Sequence, residues 1–167
     1  MKTWQRVVVI GKHIEEITEE EAKLLALLID TEGSISPALD NKKRYAYPHI
    51  GVHMRSVIPL VYAKKWGGYI GKGRDRDTGR LAYYWETSKQ ELLRSILLKI
   101  KPYLMLKKRQ AELALEMLDL LNCKPEGWRE KTLELRNKIR ELNDTQAPDV
   151  DLKDFATNKV PNAQKYT

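Results

Sequence analysis

The chain has little of what secreted and membrane proteins depend on. Its 167 residues include one cysteine, Cys123, which excludes a disulfide framework within the chain and any CxxC metal knuckle. The longest apolar run, residues 24–29, is far shorter than the roughly 20 residues that span a bilayer. The N-terminal segment has too few apolar residues for a signal-peptide core, and no small-residue cleavage site follows it. These absences predict an intracellular protein of the cytoplasm, nucleoid or an organelle, without a membrane partner.

The composition is that of one folded domain. Hydrophobic residues make up 42% of the chain and charged residues 32%, which argues against bulk disorder. A chain of this length can bury a core without disulfides or a metal. We expect a single domain over residues 1–143 and a polar C-terminal tail over residues 144–167.

Positive charge is concentrated in one third of the chain. The net charge is +7, and residues 34–90 carry eleven Lys or Arg against four acids, while the remaining residues balance. Such a stretch indicates a polyanionic partner, because neutralising phosphates releases counterions. The alternative is a basic surface that serves solubility alone.

The chain alternates helical and strand patterns. Thr18 can cap a first helix, with Glu21 in capping-box position, and Gly33 ends that helix. Period-two patterns and turn residues then predict two hairpins, with strands over residues 34–40, 44–54, 69–74 and 80–87 and a short helix over 57–66 between them. Three helices follow: one capped by Ser88 with Glu91, one from Pro102 to about 121, and one over 126–142. We therefore predict an α+β fold with an α-ββ-α-ββ-α core, an antiparallel four-stranded sheet and additional C-terminal helices.

Residues 25–33 read Leu-Ala-Leu-Leu-Ile-Asp-Thr-Glu-Gly, and this segment resembles the signature of the LAGLIDADG homing endonucleases. Six of its nine positions are identical to that signature, and Glu32 conservatively replaces its second acid. The resemblance covers roughly residues 18–143, including the helix that follows the second hairpin. It implies the family's α-ββ-α-ββ-α fold and a site-specific endonuclease that cuts double-stranded DNA.

Independently of the resemblance, the residues of the motif suit the binding of a divalent cation. A helix C-terminus presents unpaired carbonyl oxygens and the negative end of the dipole, and Glu32 adds a carboxylate there. Mg²⁺ prefers one or two carboxylates together with phosphate oxygens and water. Two such helix ends side by side would bring two carboxylates together, which need a divalent cation or a shared proton between them.

The chain has one copy of the motif, and single-motif members of the family act as homodimers. The resemblance therefore implies a homodimer on a long pseudo-palindromic site, with the motif helices at the interface. The expected interface residues are Leu24, Leu25, Leu27 and Leu28. Leu27 departs from the small residue that the signature has at its third position, so the two helices need not approach as closely.

The resemblance assigns catalytic roles position by position. Glu32 corresponds to the metal ligand, the Thr31 carbonyl is a weaker candidate ligand, and Asp30 corresponds to a structural acid at the helix end. Lys107 corresponds to the basic residue near the scissile phosphate, where it could stabilise charge in the transition state. Its alternative role is that of an ordinary solvated lysine.

Some members of the family place a water-organising Gln at the end of the second strand of the fold. The corresponding position here is Met54, which cannot organise water. His53 or Arg55 is the expected substitute.

A two-stranded ribbon fits the major groove and can present alternate side chains to base edges. The predicted DNA-binding residues are Ser36, Ala38, Asp40, Lys42, Arg44, Tyr45, Tyr47, His49 and His53 on the first hairpin and Lys72, Arg74, Arg76 and Arg80 on the second. Tyr83 and Trp85 join them if their face is the outward one. His49 and His53 are not taken as a metal pair, because no third ligand is near them in the sequence.

We therefore predict a metal-dependent endonuclease that leaves 5′-phosphate and 3′-hydroxyl ends, as family members do with 3′ overhangs. Mg²⁺ is the expected cofactor, with Mn²⁺ as a substitute and Ca²⁺ as an ion that binds without cleavage. Double-stranded DNA and a second copy of the chain are the expected partners, and no small-molecule substrate is expected. By family analogy an intron reading frame is a more expected origin than an intein. The alternatives are a non-cleaving binder of the same fold, a maturase or a repressor, and a basic α+β domain that binds RNA.

Overall fold

Five helices and five strands make up the described part of this computed structural model, which covers residues 5–8, 17–74 and 78–145. Only the backbone is described at residues 5–8. In chain order the elements are β1 (Gln5–Val8), α1 (Glu19–Glu32), β2 (Gly33–Leu39), β3 (Ala46–Met54), α2 (Ile58–Lys64), β4 (Tyr69–Arg74), β5 (Leu81–Thr87), α3 (Gln90–Ile100), α4 (Lys108–Cys123) and α5 (Trp128–Asp144). None of the described helices is long and apolar enough to cross a membrane.

The five strands form one antiparallel sheet in the order β1-β4-β5-β3-β2. The four predicted strands and the α+β fold class are confirmed. The structure adds β1, which was not predicted and which pairs with the free edge of β4, from Gln5 opposite Lys72 to Val8 opposite Tyr69. This strand takes up backbone groups that an edge strand would otherwise expose.

The sheet has an inner face packed on helices and an opposite, outer face. Ile35, Ile50, Val52 and Trp85 are fully buried on the inner face, in a core that also includes α1 and α3. Directly opposed residues of antiparallel strands share a face, so the strand register defines the other side. We call the following positions of β2 to β5 the outer face: Ser34, Ser36, Ala38, Tyr47, His49, Gly51, His53, Tyr69, Gly71, Gly73, Ala82, Tyr84 and Glu86.

The first helix is bounded as its sequence predicts. The Thr18 hydroxyl accepts the Glu21 amide at 3.2 Å, and the Glu21 carboxylate accepts the Thr18 amide at 3.1 Å, which completes the capping box. At the other end Gly33 leads directly into β2, where a Cβ atom would lie 2.8 Å from the Ile29 Cα and 3.1 Å from the Gly51 carbonyl oxygen. The junction therefore requires glycine for space, because the helix and β3 both contact it.

Two predicted helix starts are wrong. Strand β5 runs to Thr87, so Ser88 belongs to the connection, and α3 begins one residue late after Lys89, with no side-chain cap. The helix predicted from Pro102 does not form as one element. A 3₁₀ turn spans Lys101–Tyr103, the next residues are not helical, and α4 begins at Lys108. The reason lies in α1, whose Asp30 carboxylate accepts two backbone amides of that non-helical segment.

The C-terminal helices dock on the first hairpin. Helices α4 and α5 form a second apolar cluster with Ala46 of β3. The Ala46 amide donates to the Thr132 hydroxyl at 3.1 Å, and the Asn143 amide group donates to the Ile35 carbonyl at 3.1 Å. These contacts tie α5 to the sheet, and the helix ends at Asp144, one residue beyond the predicted domain boundary. The predicted tail beyond residue 145 lies outside the described residues.

Candidate nucleic-acid interface and active site

Glu32 is the last residue of α1, and its side chain is exposed. The Thr31 hydroxyl donates to the Leu27 carbonyl at 2.9 Å, so that side chain is occupied within the helix and only the Thr31 carbonyl fits the predicted ligand role. A carboxylate at the negative end of a helix is a hard oxygen site that suits a divalent cation. Within the described ranges no three His, Cys, Asp or Glu side chains cluster to hold a metal. One chain thus fits a divalent ion only in part and offers one carboxylate to it.

Asp30 is buried beneath this helix end and holds the start of α4. Its carboxylate accepts the Met105 amide at 2.7 Å and the Lys107 amide at 2.9 Å. The Lys107 ammonium donates in turn to the Asp30 carbonyl oxygen. The predicted structural role of Asp30 matches this geometry, and the contact places Lys107 beside the helix end that carries Glu32.

The environment of Lys107 disfavours its protonated, charged form. Burial lowers the pKa of the Lys107 ammonium, and the negative charge of Asp30 offsets part of that shift. The ammonium is half-buried, which distinguishes it from an ordinary solvated lysine such as its exposed neighbour Lys108.

An apolar groove of about 430 Å³ runs between α1 and α2. Leu24 and Leu27 line it with exposed fractions of 55% and 49%, and Leu28 is half-buried. The expected interface residue Leu25 also lines the groove, but it retains only 3% of its exposure and packs in the core of its own chain, so it offers a partner almost no surface. Exposed Ile58 on α2 lines the opposite wall.

Glu32 and Met54 both line this groove. The side chain at the predicted water-organising position is therefore that of Met54, and it lies in the same groove as Glu32. His53 and Arg55, the predicted substitutes, are not among the lining residues. The His53 ring lies on the outer face, stacked on the Tyr84 ring with centroids 5.7 Å apart. Arg55 is exposed just beyond the end of β3.

The structure places five predicted residues of the first hairpin together on the outer face: Ser36, Ala38, Tyr47, His49 and His53. Lys42 and Arg44 are exposed in the turn between β2 and β3. Tyr45 is a correction, because its ring packs on Trp128 of α5 with centroids 5.1 Å apart, away from the outer face.

Asp40 is a second correction. Its carboxylate accepts the amides of Lys42 at 3.3 Å, Tyr45 at 3.2 Å and Arg44, and it also accepts the Arg44 side chain at 3.2 Å. Burial would raise the pKa of Asp40, but these hydrogen bonds outweigh it and hold the pKa below its ordinary value. Asp40 therefore shapes the turn that presents Lys42 and Arg44, and its acceptor atoms are used within the chain.

The second hairpin presents its basic residues differently from the prediction. Lys72 pairs with Tyr83 and Arg74 with Leu81, which puts both basic residues at inner-face positions beyond the packed core, where they are exposed. Arg74 donates to the Gly79 carbonyl at 3.0 Å, Arg80 is exposed in the connection, and Arg76 lies outside the described residues.

Neither additional aromatic candidate of this hairpin faces outward. Trp85 is fully buried and donates from Nε1 to the Gly67 carbonyl at 2.7 Å. Tyr83 is half-buried on the same inner face.

Solved structures of homing endonucleases share this architecture. I-CvuI, in complex with its target in the presence of calcium, aligns with a TM-score of 0.62 and 22% identity over 83% of this chain and 92% of that chain. The archaeal intron-encoded I-Vdi141I, complexed with DNA, aligns with a TM-score of 0.59 and 15% identity over 89% of this chain and 97% of that chain. The LAGLIDADG homing endonuclease I-GzeII, in complex with a DNA target, aligns with a TM-score of 0.53 and 18% identity over 85% of this chain and 51% of that chain. This chain has the LAGLIDADG homing endonuclease fold.

The resemblance inferred from residues 25–33 is thus confirmed in the fold. A comparison with protein-family models gave no match, and neither did a comparison with curated proteins. The LAGLIDADG fold occurs in two lengths among these structures. This chain spans nearly all of I-CvuI and about half of I-GzeII.

Sequence reasoning missed Glu86 at the centre of the outer face of this LAGLIDADG fold. The Glu86 carboxylate lies 3.4 Å from His49 Nε2. The signal was available, since Tyr84 and Glu86 alternate with buried Trp85 and must share the opposite face.

Proposed function

We propose that this chain is a site-specific double-strand DNA endonuclease of the homing type, which hydrolyses phosphodiester bonds with a divalent metal. One observation carries the proposal. The exposed Glu32 carboxylate closes α1 at the rim of a groove lined by exposed leucines, on a fold whose solved examples are bound to DNA.

Glu32 and the Thr31 carbonyl are the groups of this chain that would hold Mg²⁺, with phosphate oxygens of the DNA completing the set. Mn²⁺ should substitute, and Ca²⁺ should bind without cleavage. A divalent cation in such a site supplies activation of water and stabilisation of the leaving oxygen. Lys107, held beside the same helix end by Asp30, would balance the negative charge that develops on the phosphate. The products would carry 5′-phosphate and 3′-hydroxyl ends.

The distribution of charge supports DNA as the partner. Lys42 and Arg44 lie at one hairpin turn, and Arg74 and Arg80 lie near the other, where they can reach phosphates on either side of a groove. Such contacts position the protein, while side chains of the outer face meet base edges.

The active form would be a homodimer on a pseudo-palindromic site. Leu24 and Leu27 are about half exposed on a helix whose other face is core, which is costly in a monomer. Pairing two motif helices would cover them and bring two Glu32 carboxylates to the same region. The half-length match to I-GzeII supports this arrangement, since a dimer of this chain has the length of one such protein.

One observation favours a second candidate, a non-cleaving binder of the same fold such as a maturase or repressor. Met54, at the position where a water-organising side chain is expected, lines the same groove as Glu32. That candidate binds the same DNA or an RNA but does not hydrolyse it.

The test is Mg²⁺-dependent cleavage of a duplex selected for binding, comparing the wild type with Glu32→Gln and with Glu116→Gln. Glu116 is an exposed residue of α4 and serves as the charge-matched control. We expect cleavage to fall by at least about 1,000-fold in Glu32→Gln only. Binding in Ca²⁺ should persist in all three proteins. A Glu32→Gln variant that cuts as well as the wild type would refute the catalytic assignment, and a wild type that binds without cutting would favour the second candidate.

A further inference from the structure

The outer face is unlike the hairpin turns in its charge. Its positions in β2 to β5 include no Lys or Arg, and their one carboxylate, Glu86, lies where β5 pairs with β3 and β4. Basic residues lie at the turns, among them Lys42 and Arg80. A carboxylate on the surface proposed to meet DNA would repel phosphates. A favourable contact between this carboxylate and DNA would therefore be with a hydrogen-bond donor on a base.

A histidine on the neighbouring strand lies beside the Glu86 carboxylate. His49 Nε2 lies 3.4 Å from Glu86 Oε2, and the two side chains retain 25% and 28% of their exposure. The contact depends on Gly51, which is directly opposite Glu86 and lies beneath the His49 ring. A Cβ atom at Gly51 would lie 3.0 Å from His49 Cε1, so glycine leaves the space in which the ring leans toward Glu86.

Glycines near this pair leave room for the rings of the outer face. The Tyr84 ring lies over Gly71, where a Cβ atom would come within 2.3 Å of it, and the His53 ring stacks on Tyr84. Across β4, the residue directly opposite Glu86 is Tyr69, whose side chain is 41% exposed. The Glu86 side chain itself retains 28% of its exposure, so a docked duplex can reach its carboxylate.

We propose that Glu86 reads one base in each half-site of the DNA by accepting a hydrogen bond from an exocyclic amino group, foremost N4 of cytosine, with His49 as its positioning residue. The inference rests on the proposed function. A carboxylate only accepts hydrogen bonds, and the amino donors of the major groove are cytosine N4 and adenine N6. Adenine places its N7 acceptor beside the amino group, which repels a carboxylate, so cytosine is favoured.

The other role open to this pair is that of a surface ion pair without a ligand. Exposed pairs of that kind contribute little to stability, and removing one should change no base preference. The two roles therefore differ in a measurable way.

The experiment is selection of duplexes from a randomised pool in Ca²⁺, followed by sequencing, for the wild type, Glu86→Gln and the control Glu116→Gln. The wild type should enrich symmetric sites with cytosine at one position per half-site, by about 5- to 150-fold over other bases. Glu86→Gln should shift that position toward adenine, because an amide can pair with both N6 and N7, and leave the other positions unchanged. Glu116→Gln should reproduce the wild-type profile.

Two further variants test the role of His49. His49→Ala should weaken the cytosine preference at the same position, and His49→Gln, which keeps a donor, should restore part of it. An unchanged profile in Glu86→Gln, or a loss spread evenly over all positions, would overturn this inference alone. A wild type that enriches no sequence would overturn both this inference and the proposed function.

Discussion

Asp30 and Lys107 hold each other through both main chain and side chain. The Asp30 carboxylate accepts the Lys107 amide at 2.9 Å, and the Lys107 ammonium donates to the Asp30 carbonyl. The contact joins the end of α1 to the residue immediately before α4, across 77 positions of sequence. It therefore fixes the ammonium of Lys107 beside the helix end that exposes Glu32.

Replacing Asp30 by Asn should destabilise the fold. The buried carboxylate serves two backbone amides, and an Asn side chain offers one acceptor and turns a donor toward the other amide. We expect the free energy of unfolding in urea to fall by about 3 kcal/mol. The matched control is Asp119→Asn, which breaks an exposed ion pair with Arg94 and should cost under about 1 kcal/mol. Equal losses in the two variants would show that Asp30 has no special structural role.

The free energy of unfolding should depend on pH in the alkaline range because of Lys107. Burial lowers the pKa of Lys107, with a partial offset from Asp30, so the unfolded chain binds this proton more tightly than the folded chain does. The contribution of Lys107 to the free energy of unfolding should therefore rise with pH between the lowered pKa and the ordinary lysine value, about 10.4.

The measurement is the pH dependence of urea unfolding for the wild type, Lys107→Met and Lys108→Met. The stability of the wild type relative to Lys107→Met should increase as pH rises through that window. The curve for Lys108→Met, which lacks an exposed lysine, should run parallel to the wild type. A relative stability that falls with pH would contradict the direction of the shift.

The same two variants separate catalysis from binding. If Lys107 balances charge in the transition state, Lys107→Met should slow cleavage in Mg²⁺ by about 100-fold or more and leave the affinity for DNA in Ca²⁺ nearly unchanged. Lys108→Met should cut at the wild-type rate. A loss of affinity as large as the loss of rate would instead make Lys107 an ordinary phosphate contact.

Local signals in the sequence account for the elements that were predicted correctly. The Thr18 capping box and the Gly33 junction depend on residues within a few positions of each other, and both form as predicted. The break before α4 depends on Asp30, some 75 positions away, and local helix signals around Pro102 cannot report it. The pairing of β1 with β4 is equally distant in sequence.

In the candidate site, too, local sequence signals indicate some residues, whereas the placement of others depends on contacts that are distant in the sequence. The motif indicates Glu32 at a helix end, which the structure places at an exposed position beside the groove. The orientation of Lys72 and Arg74 follows from strand register, because each residue pairs across from an inner-face partner. Both residues share a strand face with Ile70, which pairs with buried Trp85, and a count of basic residues does not contain that register. Asp40 was misassigned because its four hydrogen bonds within the turn are visible only in three dimensions.

The groove between α1 and α2 should be the site where two copies of the chain meet. Leu27 is 49% exposed in the groove, so a charge there would be buried at the interface without a partner. We expect Leu27→Glu to raise the dissociation constant of the dimer by at least about 30-fold, as loss of a central interface residue does. Leu98 is exposed to a similar extent, 53%, on α3 outside the groove, and Leu98→Glu should leave the constant unchanged. Sedimentation equilibrium should give the wild type a mass near twice 19.4 kDa. A DNA-bound protein containing a single 19.4 kDa chain would refute the dimer, and equal dissociation of the two variants would refute its location.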